Sequence, residues 1–174
     1  YHQTKAATIA IADHKGPVYL RFGRPGWPMF TEHMEFKIGK ALVLNEGTDV
    51  SIFATGHLVW KAVEAAKQLE REGISCEIIN IHTIKPLDTT AVLKSAAKTK
   101  AVIVAEEHNI IGGLGESISR VLSQNNPTLM EFVAVKDTFG ESGKVPDLIA
   151  KYGLDTADVV NAVQRVLQRK VAFV

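Results

Sequence analysis

Cysteine is nearly missing from this chain: one residue, Cys76, in 174. A lone thiol cannot build an internal disulfide framework, and so sparse a cysteine content suits a reducing, cytoplasmic setting. Charge of one sign is missing too. Twenty basic side chains stand against 19 acidic ones, a net charge of +1 with histidine neutral. The clustered Lys and Arg of a nucleic-acid surface are absent, so no nucleic-acid partner is expected. No apolar run approaches the ~18 residues that cross a bilayer, and no signal peptide is seen, so no membrane partner is expected. There is no repeat at a fixed period and no low-complexity tract. What remains is ordinary: 46% hydrophobic residues, the composition of a globular protein. The length suits one domain, or one domain plus a fragment of another. A domain of that size buries roughly 70% of the surface its unfolded chain exposes, so a core forms without staples. The first residue is Tyr1 rather than Met, in what reads as a helix, which suggests a piece cut from a longer polypeptide.

The pattern changes character near Phe36. Before it come a short helix over 4–13, a Gly16-Pro17 break, a strand over 18–22 (VYLRF) and an aperiodic stretch over 23–35 that reads as a linker. After it, strands and helices alternate. Strands are predicted over 41–44, 50–54, 76–81, 101–105 and 129–135. Helices are predicted over 58–72, 89–97, from about 115 to 122, over 145–152 and from about 156 to 169. The clearest helix carries Val59, Ala62, Val63, Ala66 and Leu69 on one face and ends at Gly73, where a C′ glycine belongs. Helical crossovers between buried strands are what parallel neighbours require. The expectation is an α/β fold, a three-layer α/β/α sandwich around a mostly parallel five-stranded sheet.

In such a sheet the carboxyl ends of the strands share one edge, where open α/β folds place ligands. That edge is expected to carry His57, His82, Glu106, Glu107, His108, Lys136 and Asp137. Three readings compete for them. The histidines and a carboxylate are the ligand types of a zinc site, but they come from separate strands without local ligand spacing. Glu107 and His108 are candidates for general acid–base work in a closed cleft. The third reading, polar residues at a domain or subunit interface, is favoured. Gly112, Gly113 and Gly115 either cradle a phosphate at the next helix N-terminus or form a tight turn. They lack the full Gly-x-Gly-x-x-Gly spacing, so the turn is favoured. Arg21 and Arg24 bracket the end of VYLRF; either is a phosphate grip or a solvated surface charge.

Taken together, the segments GPVYLRFGRP (16–25), INIHTIKPLD (79–88), VAEEHNIIGGLGE (104–116) and ESGK (141–144) resemble the C-terminal portion of transketolase. The order and spacing are kept through essentially the whole chain. Deoxyxylulose-phosphate synthases and the beta subunits of 2-oxo-acid dehydrogenases share the domain and stand as alternatives. A nucleotide-binding regulatory domain using Gly112–Gly115 is the alternative from another class. The resemblance implies that 1–35 is the tail of the pyrimidine-binding domain plus a linker, and 36–174 the complete transketolase C-terminal domain. It implies a role in two-carbon ketol transfer between sugar phosphates, a pentose phosphate pathway reaction that needs thiamine diphosphate and Mg²⁺. The Gly-Asp-Gly metal motif and the activating glutamate of that family are absent here, so no cofactor, metal or catalytic residue is expected in this chain. On its own it is expected to be inactive, and to act by forming a homodimer and joining the N-terminal transketolase domains. One functional position carries over: Arg21 matches the family arginine that binds the substrate phosphate. The resemblance assigns no chemistry to His57, His82 or His108.

Overall fold

The computed structural model describes residues 1–24 and 26–172. Helix α1 (His2–Ala12) comes first, followed by an irregular arm. Then come β1 (Leu42–Asn45), β2 (Val50–Ala54), α2 (Leu58–Arg71), β3 (Cys76–Asn80), α3 (Thr89–Thr99), β4 (Ala101–Asn109), α4 (Leu114–Asn125), β5 (Leu129–Val135), α5 (Val145–Lys151) and α6 (Thr156–Ala172). The five strands form one sheet in the order β1-β3-β2-β4-β5. β3, β2, β4 and β5 are parallel neighbours, and β1 closes one edge antiparallel to β3.

The alternation of side chains along the strands builds two cores. Val50, Ile52, Ala54, Ile103 and Ala105 face α2 and α6, where Leu58, Ala62, Leu69, Val159 and Val163 are buried. Phe53, Val102 and Val104 face α3 and α4, against Val92, Ile118 and Leu122. This is the expected three-layer sandwich. Local signals fix its elements. Asp88 caps α3 by accepting from the Ala91 amide at 3.1 Å. The polar exception to the second core is closed on itself: Ser51 Oγ lies 2.6 Å from Ser95 Oγ and 2.7 Å from Thr99 Oγ1. Ser95 donates to buried Glu77, which Lys98 also meets at 2.6 Å, so the carboxylate is paired rather than stranded. No helix among the described residues is long and apolar enough to cross a membrane.

Two expectations need correction. Residues 18–22 are not a strand. They pair with nothing in the sheet, and Tyr19 and Phe22 are 86% and 66% exposed. The composition is that of a strand, but a strand exists only where a neighbour accepts its backbone hydrogen bonds. The strand over 101–105 in turn runs on to Asn109, because β5 continues beside it: Asn109 is in register with Val135, past an irregularity after Ala105.

Candidate functional site

The length of β4 decides what its two carboxylates do. Alternation continues past Ala105, so Glu106 falls on the α4 side and Glu107 on the α2 side. Glu106 is 3% exposed. Its Oε2 accepts from the Leu114 amide at 2.7 Å and its Oε1 from the Gly115 amide at 2.8 Å, so a carboxylate sits at the positive end of α4. Gly113 makes the room: a Cβ there would lie 2.4 Å from Glu106 Oε2, and one on Gly115 would lie 2.8 Å from the Phe132 ring. The loop amides that a nucleotide phosphate would use are therefore occupied by the protein's own side chain. The tight-turn reading describes Gly112–Gly115, and the nucleotide-binding alternative loses its donors.

Glu107 reaches the other way. Its Oε2 is in close contact with Nδ1 of His57, the residue preceding α2. Its Oε1 accepts from Arg21 Nη1 at 3.0 Å. His57 is 8% exposed, Glu107 22% and Arg21 52%, so the three run from the interior to solvent. The indole of Trp27 lies flat on the imidazole, centroids 4.8 Å apart and planes 9° from parallel. Three residues on, Phe30 meets the Trp60 ring on α2 at 5.6 Å. The arm is thus pinned to the carboxyl edge of the sheet through Arg21, Trp27 and Phe30. Burial pushes the Glu107 carboxyl up, but the hydrogen bond and charge of His57 and those of Arg21 outweigh it, and the group sits below the ordinary carboxylate value. Among the described residues, His57 Nε2 is buried without a hydrogen-bond partner.

The remaining edge residues do not join this cluster. His82 bonds Thr83 Oγ1 through Nδ1 at 3.0 Å and packs on the Phe36 ring at 4.4 Å; burial holds its imidazole below the ordinary histidine value. His108 is exposed, and its Nδ1 lies 3.2 Å from the carbonyl oxygen of its neighbour Asn109. It does not pair with Glu107, because adjacent strand residues point to opposite faces; the histidine that Glu107 meets is His57. Asp137 accepts from Asn109 Nδ2 at 3.0 Å, while Lys136 and Arg24 are exposed. Trp27, stacked on His57, is the member of this cluster that sequence reasoning missed. Its one signal was an aromatic ring in a Gly- and Pro-rich stretch, which must bury itself somewhere.

The residues present do not fit a thiamine diphosphate site. No three His, Cys, Asp or Glu side chains among the described residues gather as metal ligands. The amides at the α4 N-terminus are filled by Glu106, and both oxygens of Glu107 are engaged.

The described residues thus form a mostly parallel α/β sandwich whose carboxyl edge holds the preceding arm. The sequence pattern described as "Transketolase, C-terminal domain" matches residues 39–159, and the chain belongs to that family. It is 45% identical over 169 residues to the 6-deoxy-6-sulfo-D-fructose transketolase subunit SqwH of Clostridium sp. (strain MSTE9), covering 97% of this chain and 52% of that protein. It is 37% identical over 175 residues to a putative transketolase C-terminal section of Methanocaldococcus jannaschii, covering 98% and 54%. A solved split-gene transketolase, described as an inactive beta4 tetramer, superposes with a TM-score of 0.90 at 44% identity, covering 94% of this chain and 54% of that one. The chain spans about half the length of these relatives.

Proposed function

We propose that this chain is the C-terminal part of a thiamine-diphosphate-dependent transketolase, which moves a two-carbon ketol unit from a ketose phosphate to an aldose phosphate. The observation that carries this reading is the near-complete coverage of the chain by transketolase subunits and sections, each about twice its length. Residues 1–35 serve as the tail of the pyrimidine-binding domain and linker, and 36–174 as the C-terminal domain. The diphosphate and its Mg²⁺ belong to the other section, because the donors for them are not built here. The chain works as a homodimer joined to that N-terminal section. Such a reaction belongs to pentose phosphate metabolism in the cytoplasm, which agrees with a single cysteine buried in β3.

Within that assembly Arg21 holds the terminal phosphate of the sugar. A guanidinium offers five N–H donors in a planar fork that matches an oxyanion, and half of this side chain faces solvent. A sulfonate presents three oxygens as a phosphate does, and SqwH is named for a 6-sulfo sugar, so the same fork serves either tail.

The test is reconstitution. With an N-terminal section supplied, ketol transfer should appear; the chain alone should give none and should not bind thiamine diphosphate in calorimetry. Micromolar binding by the chain alone would overturn the reading. Turnover of pyruvate in place of a ketose donor would move it to the deoxyxylulose-phosphate synthases or the dehydrogenase beta subunits. In the assembled enzyme Arg21→Ala should raise KM for phosphorylated ketoses about tenfold or more. That is the loss expected from a charge-assisted hydrogen bond of roughly 1.5–3 kcal/mol. KM for unphosphorylated donors should stay put, and parallel assays with sulfonated ketoses identify the tail.

A further inference from the structure

Arg21 lies on a segment with no ladder to hold it, at the end of a long and flexible side chain. A free arginine of that kind loses much rotamer freedom when it grips an anion, and the loss weakens the grip. Here the side chain is already held. Glu107 Oε1 takes Nη1 at 3.0 Å, one contact from a group with five donors, so donors remain for a second oxyanion. Glu107 is itself fixed. It stands on the longest strand of the sheet, and its second oxygen is committed to His57. His57 is clamped under Trp27, six residues along the arm from Arg21. A half-exposed ion pair contributes little to stability, so stability alone is a poor reason for so complete a support.

We propose that Glu107, braced by His57 and Trp27, is a positioning residue that pre-orients Arg21 for the terminal phosphate of the substrate. The inference rests on the reading of Arg21 given above. It makes Glu107 a determinant of affinity for anionic sugars, acting through the arginine and not through the reacting atoms.

The experiment is a double-mutant cycle in the assembled enzyme, with a phosphorylated ketose donor and its unphosphorylated counterpart. Glu107→Ala should raise KM for the phosphorylated donor about fivefold, with kcat within about twofold and the unphosphorylated donor unchanged. Glu107→Gln keeps an acceptor for Nη1 and should restore KM to within about twofold of the parent. In an Arg21→Ala background, Glu107→Ala should add nothing. If the alanine variant does not fold, Glu107→Met keeps the volume without the acceptor and carries the same expectation. An unchanged or lowered KM in Glu107→Ala would overturn the inference while leaving the role of Arg21 standing. Equal losses with both donors, or additive losses in the double variant, would overturn it in favour of a merely structural carboxylate. If Arg21→Ala itself spares the phosphorylated donor, the reading of Arg21 fails first, and the inference fails with it.

Discussion

Glu106 and Glu107 carry the same side chain at adjacent positions of β4 and put it to opposite uses. Nothing in the letters EEH separates them. The separation comes from β4 continuing to Asn109, which hands one carboxylate to the α4 N-terminus and the other to His57 and Arg21. The glycines beside them were legible as a turn, but the reason for each was not. Gly112 has φ +78° and open space around it, so its cost on substitution is backbone strain of about 1–2 kcal/mol. Gly113 has φ −90°, where any residue is at ease, yet a Cβ would press on both oxygens of Glu106. Gly113→Ala displaces a carboxylate from two amides, each worth about 1.5–3 kcal/mol. It should therefore destabilise by about 3 kcal/mol or more, exceeding Gly112→Ala. Urea melts of the two variants check this, and the reverse order would refute the claim that room for Glu106 is what Gly113 provides.

At the level of elements, the sequence was most readable where side-chain period and burial agree. Helix α2 shows its buried face in Val59, Ala62, Ala66 and Leu69, and β2 is buried at every position. Both were located from pattern to within a residue of their ends. The stretch VYLRF was misread for a physical reason. Strand propensity is a statement about fitting beside a neighbour, and no described strand lies beside it. Among the described residues its amides make no backbone hydrogen bond, which gives a prediction. In hydrogen exchange, amides of 18–22 should exchange within the fastest class when the chain is alone, while those of β2 and β4 are strongly protected. Adding the N-terminal section should protect 18–22 if that section supplies the missing ladder. Fast exchange that persists in an active assembly would show that the segment stays irregular, and would remove the case for counting 1–35 with the preceding domain.

The molecule as a whole exposes more than its mass requires. A compact monomer of 19.0 kDa is expected to present about 8,400 Å², whereas this chain presents 10358 Å². The excess, about 2,000 Å², is more than the roughly 800 Å² that each partner contributes to a standard protein–protein contact. Much of its apolar part lies on α1 and the arm. Tyr1, Ile9, Val18, Tyr19, Phe22 and Met29 are all exposed, while Leu58, Leu69 and Ile103 deeper in the chain are fully buried. Singly exposed apolar side chains are ordinary on a monomer, but six within the first 29 residues give the proposed assembly apolar surface to use. The 174-residue chain alone is therefore expected to sediment as a dimer or larger species at high protein concentration. A strictly monomeric boundary there would count against self-association as the source of its cover. Val18→Lys with Phe22→Lys should shift the distribution toward monomer, and should weaken capture of the N-terminal section, while leaving the melting of the sandwich nearly unchanged. That last condition follows from where Val18 and Phe22 sit: the arm meets the core through Trp27 and Phe30, not through these two. The exposed side chains of 18–22 touch neither the cluster under α2 and α6 nor the one under α3 and α4, so charging them alters what the molecule meets and not how its sheet is held.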